Sequence, residues 1–189
     1  MKVTTPERFD RLSEAAIDAS SIIYLLKAGV LGLLGATINL RSVPEVLAET
    51  GWPELPVLVG KARDGLCGGV THGDGVTHGD GVTHGDGAED PAEVGRTNDE
   101  LLLEFARSTE IPLISEDRDL LRSADAAGME YYNALMMLAF LRYRRRIDDQ
   151  WYEESKGRLL DVARYGEDIL RRFDAIAAQL ELGRFDGTA

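Results

Sequence analysis

The chain has 189 residues, 44% hydrophobic and 29% charged, with a formal net charge of -12 and a pI near 4.7. That is ordinary globular material, long enough for one domain with a sizeable core plus an appendage. The acidic balance argues against wrapping nucleic acid by bulk charge. Only four of the 21 basic residues are lysine, a bias expected both of adaptation to high salt and of GC-rich coding. Cys67 is the single cysteine, so no intramolecular disulfide forms. No apolar run approaches the roughly 18 residues of a membrane span, and no apolar signal segment follows the first basic residue. The expectation is a cytoplasmic protein with no membrane association.

Residues 1–13 read as a polar lead-in. The apolar run Ala15-Ala16-Ile17 then meets a single carboxylate, Asp18, and small polar residues before Ile22-Ile23-Tyr24-Leu25-Leu26. This predicts a buried strand over 15–18 and a helix over 20–28 capped by Ser20 or Ser21. A short helix over 30–34 follows, punctuated by Gly29 and Gly32, then a strand over 37–40. Pro44 opens a helix bearing Glu45 and Glu49 on one face, i and i+4 apart. Residues 57–68 fit a short strand or a helix equally well.

Gly69-Val70-Thr71-His72-Gly73-Asp74 is then repeated twice more, through Asp86, and holds all three histidines. One valine per unit buries too little to offset the cost of ordering. Residues 68–96 are therefore expected to be a flexible loop or insertion, and the near-identity of the units suits duplication of a short coding segment. Imidazole also suits Zn²⁺, but closing so glycine-rich a loop around an ion is costly.

Thr97-Asn98-Asp99-Glu100 is an N-cap with an acidic first turn. A strand over 111–115 runs into Glu116-Asp117-Arg118-Asp119; a helix over 120–127, a strand over 129–132 and an apolar helix over 133–143 complete the alternation. Strands alternating with helices predict a parallel sheet between helical layers. Two more helices, 148–164 and 167–181, carry Leu159, Val162, Tyr165, Ile169, Phe173, Ile176 and Leu180 at intervals of three or four. That stripe faces either the sheet layers or a partner.

Asp18 and Asp117 end strands, Asp99 starts a helix, and Glu45 or Glu49 joins from another. In a parallel sheet such positions meet along the carboxyl edge, where open α/β folds bind ligands. Clustered carboxylates repel, and a divalent cation with oxygen preference relieves this. The chemistry such a site supports is phosphodiester hydrolysis by metal-activated water. Each acid also has a local use: Asp18 and Asp117 as helix caps, Asp99 as a dipole complement, Asp119 as a solvated charge. Arg142, Arg144, Arg145 and Arg146, with Tyr143 among them, are the candidate phosphate contacts, or else a solvated helix end.

The stretches Ile17-Asp18-Ala19-Ser20, Val43 to Glu49, Asp99 to Ala106 and Ile114 to Asp119 resemble, in order and spacing, the successive signatures of PIN domains. The resemblance covers residues 14–145 and implies a three-layer α/β/α sandwich around a parallel sheet. It implies an Mg²⁺- or Mn²⁺-dependent endoribonuclease, with Asp18, Glu49, Asp99 and Asp117 as catalytic and metal-binding acids. Ser20 matches a supporting hydroxyl, Glu45 is the alternative to Glu49, and Asp119 is a peripheral ligand. Many PIN domains are toxins of toxin–antitoxin pairs, so RNA, an antitoxin protein and a second copy in a homodimer are the implied partners. The chain departs from the pattern in its repeat and in residues 146–189, a C-terminal helical extension. The alternative is a catalytically silent PIN-like module acting through that extension. A dehalogenase-type phosphatase needs an acid where Ser20 stands. A phospho-receiver needs a late lysine, and the only one after residue 61 is Lys156.

Overall fold

Ala15, Ala16 and Ile17 have no exposed surface, the mark of a strand covered on both faces. In the computed structural model, which describes residues 6–51, 58–59 and 96–185, these residues are the last three of β1 (Glu14–Ile17). It pairs in parallel with β2 (Asn39–Ser42) on one side, Ala15 opposite Leu40. Outside β2 lies β3 (Leu58–Val59). On the other side β1 pairs with β4 (Leu113–Ile114), Ile17 opposite Ile114, and β4 with β5 (Tyr131–Tyr132). The order β3-β2-β1-β4-β5, parallel throughout, puts the carboxyl ends of β1 and β4 side by side.

Alternation along the strands divides the core in two. Ala15, Ile17, Leu40 and Ile114 face one cluster; Ala16 and Leu113 face the other. The first is covered by α1 (Pro6–Arg11), α2 (Ala19–Lys27), α3 (Leu31–Gly35) and α7 (Ala134–Tyr143). The second is covered by α4 (Pro44–Thr50), α5 (Asn98–Ser108) and α6 (Arg118–Ala126). The result is a parallel sheet between two helical layers, as the strand–helix alternation predicts.

Residues 134–141 of α7 are buried on every side. A helix that is apolar all round needs cover on its outer face as well as against the sheet. α8 (Asp149–Val162) and α9 (Glu167–Phe185) supply it. Leu159, Phe173, Ile176 and Leu180 join the α7 cluster, with Val162, Tyr165 and Ile169 packed at its margin. The stripe is thus spent on the chain's own core, each fully buried member contributing about 1.5–3 kcal/mol.

The expected elements shift in detail. The lead-in contains α1, whose Phe9 is fully buried with its ring 5.3 Å from Phe140 and 5.8 Å from Tyr132 and Tyr143. One phenylalanine among polar residues has no period to announce it; its partners lie more than 120 residues on. The second strand begins at Asn39 rather than 37, because the Thr37 and Ile38 amides still donate to Leu34 in the last turn of α3. The strand expected over 111–115 is confined to Leu113–Ile114, since the Ile111 amide donates back to Ala106 and Glu110 takes a left-handed φ of 56°. Of the ambiguous 57–68 stretch only β3 is described; Cys67 and the repeat lie outside the described residues.

Candidate active site

Asp18 follows β1 directly and is 5% exposed. Its Oδ1 accepts the Ser21 amide at 2.6 Å, capping α2. Its Oδ2 accepts the hydroxyls of Ser20 (2.9 Å) and Ser115 (2.5 Å) and the Glu116 amide (3.3 Å). Capping therefore uses one oxygen, and the other is held in a fan of donors. Ser115 is fully buried at the end of β4, and its Oγ also accepts the Asp117 amide at 3.0 Å. One hydroxyl thus ties the two strand-end acids together.

Asp117 is exposed and caps α6, its Oδ1 accepting the amides of Asp119 (2.7 Å) and Leu120 (2.8 Å). Glu49 sits in the last turn of α4, and its carboxylate accepts from the Asn98 side-chain amide at the start of α5. That contact sets Glu49 beside Asp99. The capping box of α5 is closed by Thr97 and Glu100, so Asp99 takes no part in it.

The electrostatics register the convergence. The carboxyl of Asp99 is raised above its ordinary pKa, first by partial burial and then by the charges of Asp117, Asp18 and Glu49. All four acids therefore share one neighbourhood at the carboxyl edge of the sheet. Among the described residues no lysine or arginine forms an ion pair with any of them. Hard carboxylate oxygens with uncompensated charge suit Mg²⁺ or Mn²⁺ in donor type. The side chains are not drawn together to ligating distance: among the described residues no three acids, histidines or cysteines form a ready metal-binding group.

Glu45 is exposed in the first turn of α4 and is not among the charges felt by Asp99, so the structure separates it from Glu49. Asp119 is exposed and pairs with Arg122 at 2.7 Å, which removes it from the cluster. The arginine cluster lies at the opposite edge. α7 starts near Glu116 and runs about 15 Å down the sheet. At its far end Arg146 donates to Thr37 (3.2 Å) and Arg144 to the Phe9 carbonyl (3.4 Å). Arg142 pairs with Asp149 at 2.8 Å and stacks on Tyr152. Arg142, Arg144 and Arg146 thus fasten α8, α1 and the turn after α3 to the body, at the edge away from the carboxylates.

Sequence reasoning passed over Ser115, Asn98 and Glu116. Ser115 and Glu116 lie inside a stretch already singled out, and a polar residue closing an apolar strand was the available signal. Glu116 turns away from Asp117: its Oε1 accepts the Ala134 amide at the start of α7 at 2.5 Å. Burial pushes its carboxyl up to about 7; the Ala134 amide and the nearby Tyr165 hydroxyl oppose this, and the Asp18 charge adds to it. Comparisons with protein-family models, with curated proteins and with solved structures find no match to this chain.

Proposed function

We propose that the chain is an Mg²⁺- or Mn²⁺-dependent endoribonuclease of PIN type, with Asp18, Glu49, Asp99 and Asp117 as its metal-binding acids. The observation that carries this reading is geometric: Ser115 joins Asp18 to the Asp117 amide at the ends of adjacent strands, and Asn98, next to Asp99, holds Glu49. Four carboxylates that two strand ends and two helices bring into one field, without a basic partner among the described residues, store repulsion that a divalent cation relieves. Their place at the carboxyl edge of a parallel sheet is where this architecture binds ligands.

In this reading the bound cation supplies Lewis-acid polarisation of a phosphate oxygen and a more acidic water. The chain's part is to hold the charge and the geometry. Ser20, Ser21, Ser115 and the Glu116 amide hold Asp18, so it needs little reorganisation to meet a cation. Asp117 keeps one oxygen outside its cap bonds. Asn98 orients Glu49.

An interaction module acting through the extension is the less supported reading, because the apolar stripe of α8 and α9 is buried on α7. A toxin role, with an antitoxin protein and a homodimer as partners, belongs to the PIN-type reading; a small DNA-binding protein encoded next door would support it. The deciding experiment is cleavage of single-stranded RNA with Mn²⁺, Mg²⁺ or chelator. Wild type is expected to cleave only with metal, and Asp18→Asn to lose at least about 100-fold, a ligand costing no less than a supporting residue. Wild-type turnover in a folded Asp18→Asn protein would sink the proposal.

A further inference from the structure

The Glu116 backbone and side chain point to different places. Its amide touches Asp18, while its carboxyl enters a cavity of about 330 Å³ on the far side of the β4–α6 turn. Tyr24 of α2 and Tyr165, between α8 and α9, line it; Asn133 caps α7 at its margin, and Arg118 and Arg164 complete the polar lining. The helical extension therefore builds one wall of a cavity, and Glu116 and Arg118, which flank Asp117 in the chain, lie in another.

We propose that this cavity is a nucleotide subsite, receiving the planar base next to the phosphate held at the carboxylates, with Arg118 and Arg164 on a flanking phosphate. The second part of the statement rests on the nuclease reading; the binding of a nucleotide does not.

Size is the first argument. Small-molecule sites begin near 300 Å³, so this one admits a single ring system and its sugar, not a folded oligonucleotide. Lining chemistry is the second. Two tyrosine rings offer stacking surface, which every base accepts. Asn133 Oδ1 accepts the Met136 amide, which leaves the side-chain NH₂ group for a ligand. The Tyr165 hydroxyl is buried against the Glu116 carboxyl, which places both groups in the wall of the cavity. The third argument is charge. Arg118 and Arg164 are exposed, and neither has an acidic partner among the described residues. In a chain of net charge -12, two unpaired guanidiniums at one opening form a local phosphate site. Arg142, Arg144 and Arg146 at the end of α7 are engaged by the fold; Arg118 and Arg164 are not.

The test is calorimetric titration of the full chain, in chelator, with AMP, GMP, CMP, UMP, inorganic phosphate and a five-residue single-stranded RNA. At least one mononucleotide is expected to saturate a single site, at least about tenfold more tightly than phosphate. Tyr24→Ala should weaken it about 5- to 150-fold, the range for losing one stacked base. Arg164→Glu, at an exposed position, should weaken it about tenfold with the melting temperature unchanged. Asp18→Asn should leave mononucleotide binding intact, and the short RNA should compete for the same site. Metal-dependent cleavage by wild type with no mononucleotide bound would remove the subsite and keep the nuclease. Cavity-dependent binding with no cleavage under any metal would do the reverse. Phosphate binding as well as any mononucleotide would overturn base recognition, and a short RNA that fails to compete would overturn the placement beside the scissile phosphate.

Discussion

The hydroxyl of Ser115 donates to Asp18 Oδ2 at 2.5 Å across 97 residues of chain, and this bond registers the end of β4 against the end of β1. Because the same oxygen accepts the Asp117 amide, Ser115 is the positioning residue of the cluster. Ser115→Ala leaves a buried carboxylate short of a donor and an amide short of an acceptor. The expected cost is about 1–3 kcal/mol of stability, seen as a lower melting temperature. Cleavage at saturating RNA should fall about 10- to 100-fold, with KM for RNA little changed and a higher Mn²⁺ concentration needed for half-maximal rate. Unaltered Mn²⁺ dependence in a folded variant would reduce Ser115 to a structural role.

Asp99 supplies a second prediction. Its pKa is raised in the folded state, so the protonated form is favoured by folding. The stabilisation is present at low pH and lost as pH rises above the ordinary carboxylate range. Without metal at pH 7 the residue therefore opposes folding, and Asp99→Asn is expected to raise the melting temperature of the metal-free protein. With Mn²⁺ the order should invert, wild type gaining about 2.7 kcal/mol at a hundredfold excess of ion over its dissociation constant. Melting curves of both proteins, with chelator and with Mn²⁺, decide this. A wild-type curve that metal does not move would count against the site.

Glu116 sets a steeper pH dependence. Burial lifts its pKa from 4.5 to about 7, so the folded state holds this proton more tightly than the unfolded one. The associated stability is complete below pH 4.5 and drains away up to about pH 7, by about 3 kcal/mol in all. Denaturant titrations in chelator should show this loss between about pH 4.5 and pH 7, and a level profile above. Glu116→Gln, which keeps an acceptor for the Ala134 amide, should flatten the profile. Parallel profiles for the two proteins would refute the assignment.

Phe9 tests whether the first described helix belongs to the core. Its ring lies against Tyr132, Phe140 and Tyr143, and Tyr143 also donates to Asp10 at 3.0 Å. Phe9→Ala should cost about 3–5 kcal/mol, read from the shift of the denaturant midpoint. A change below about 1 kcal/mol would return residues 6–11 to the status of a lead-in.

What the sequence by itself determined is what local patterning can carry. An apolar run of Ala15 to Ile17 ending in Asp18, and another ending before Asp117, specify buried parallel strands with acids at their carboxyl ends. Tertiary structure decided everything that depends on which elements meet. Glu45 and Glu49 share a helix, and only the packing of α4 against α5, with Asn98 donating to Glu49, selects between them. Arg142 to Arg146 read equally as phosphate contacts or as a solvated helix end until α7 carries them to the far edge of the sheet. The stripe on α8 and α9 has the same period whether it meets a partner or its own core. The all-apolar surface of α7 settles that, since burying it removes more hydrocarbon from water than leaving either face exposed. Ser115 and Glu116 acquire their roles from contacts 97 and 18 residues away, and such separations leave no trace in a local pattern.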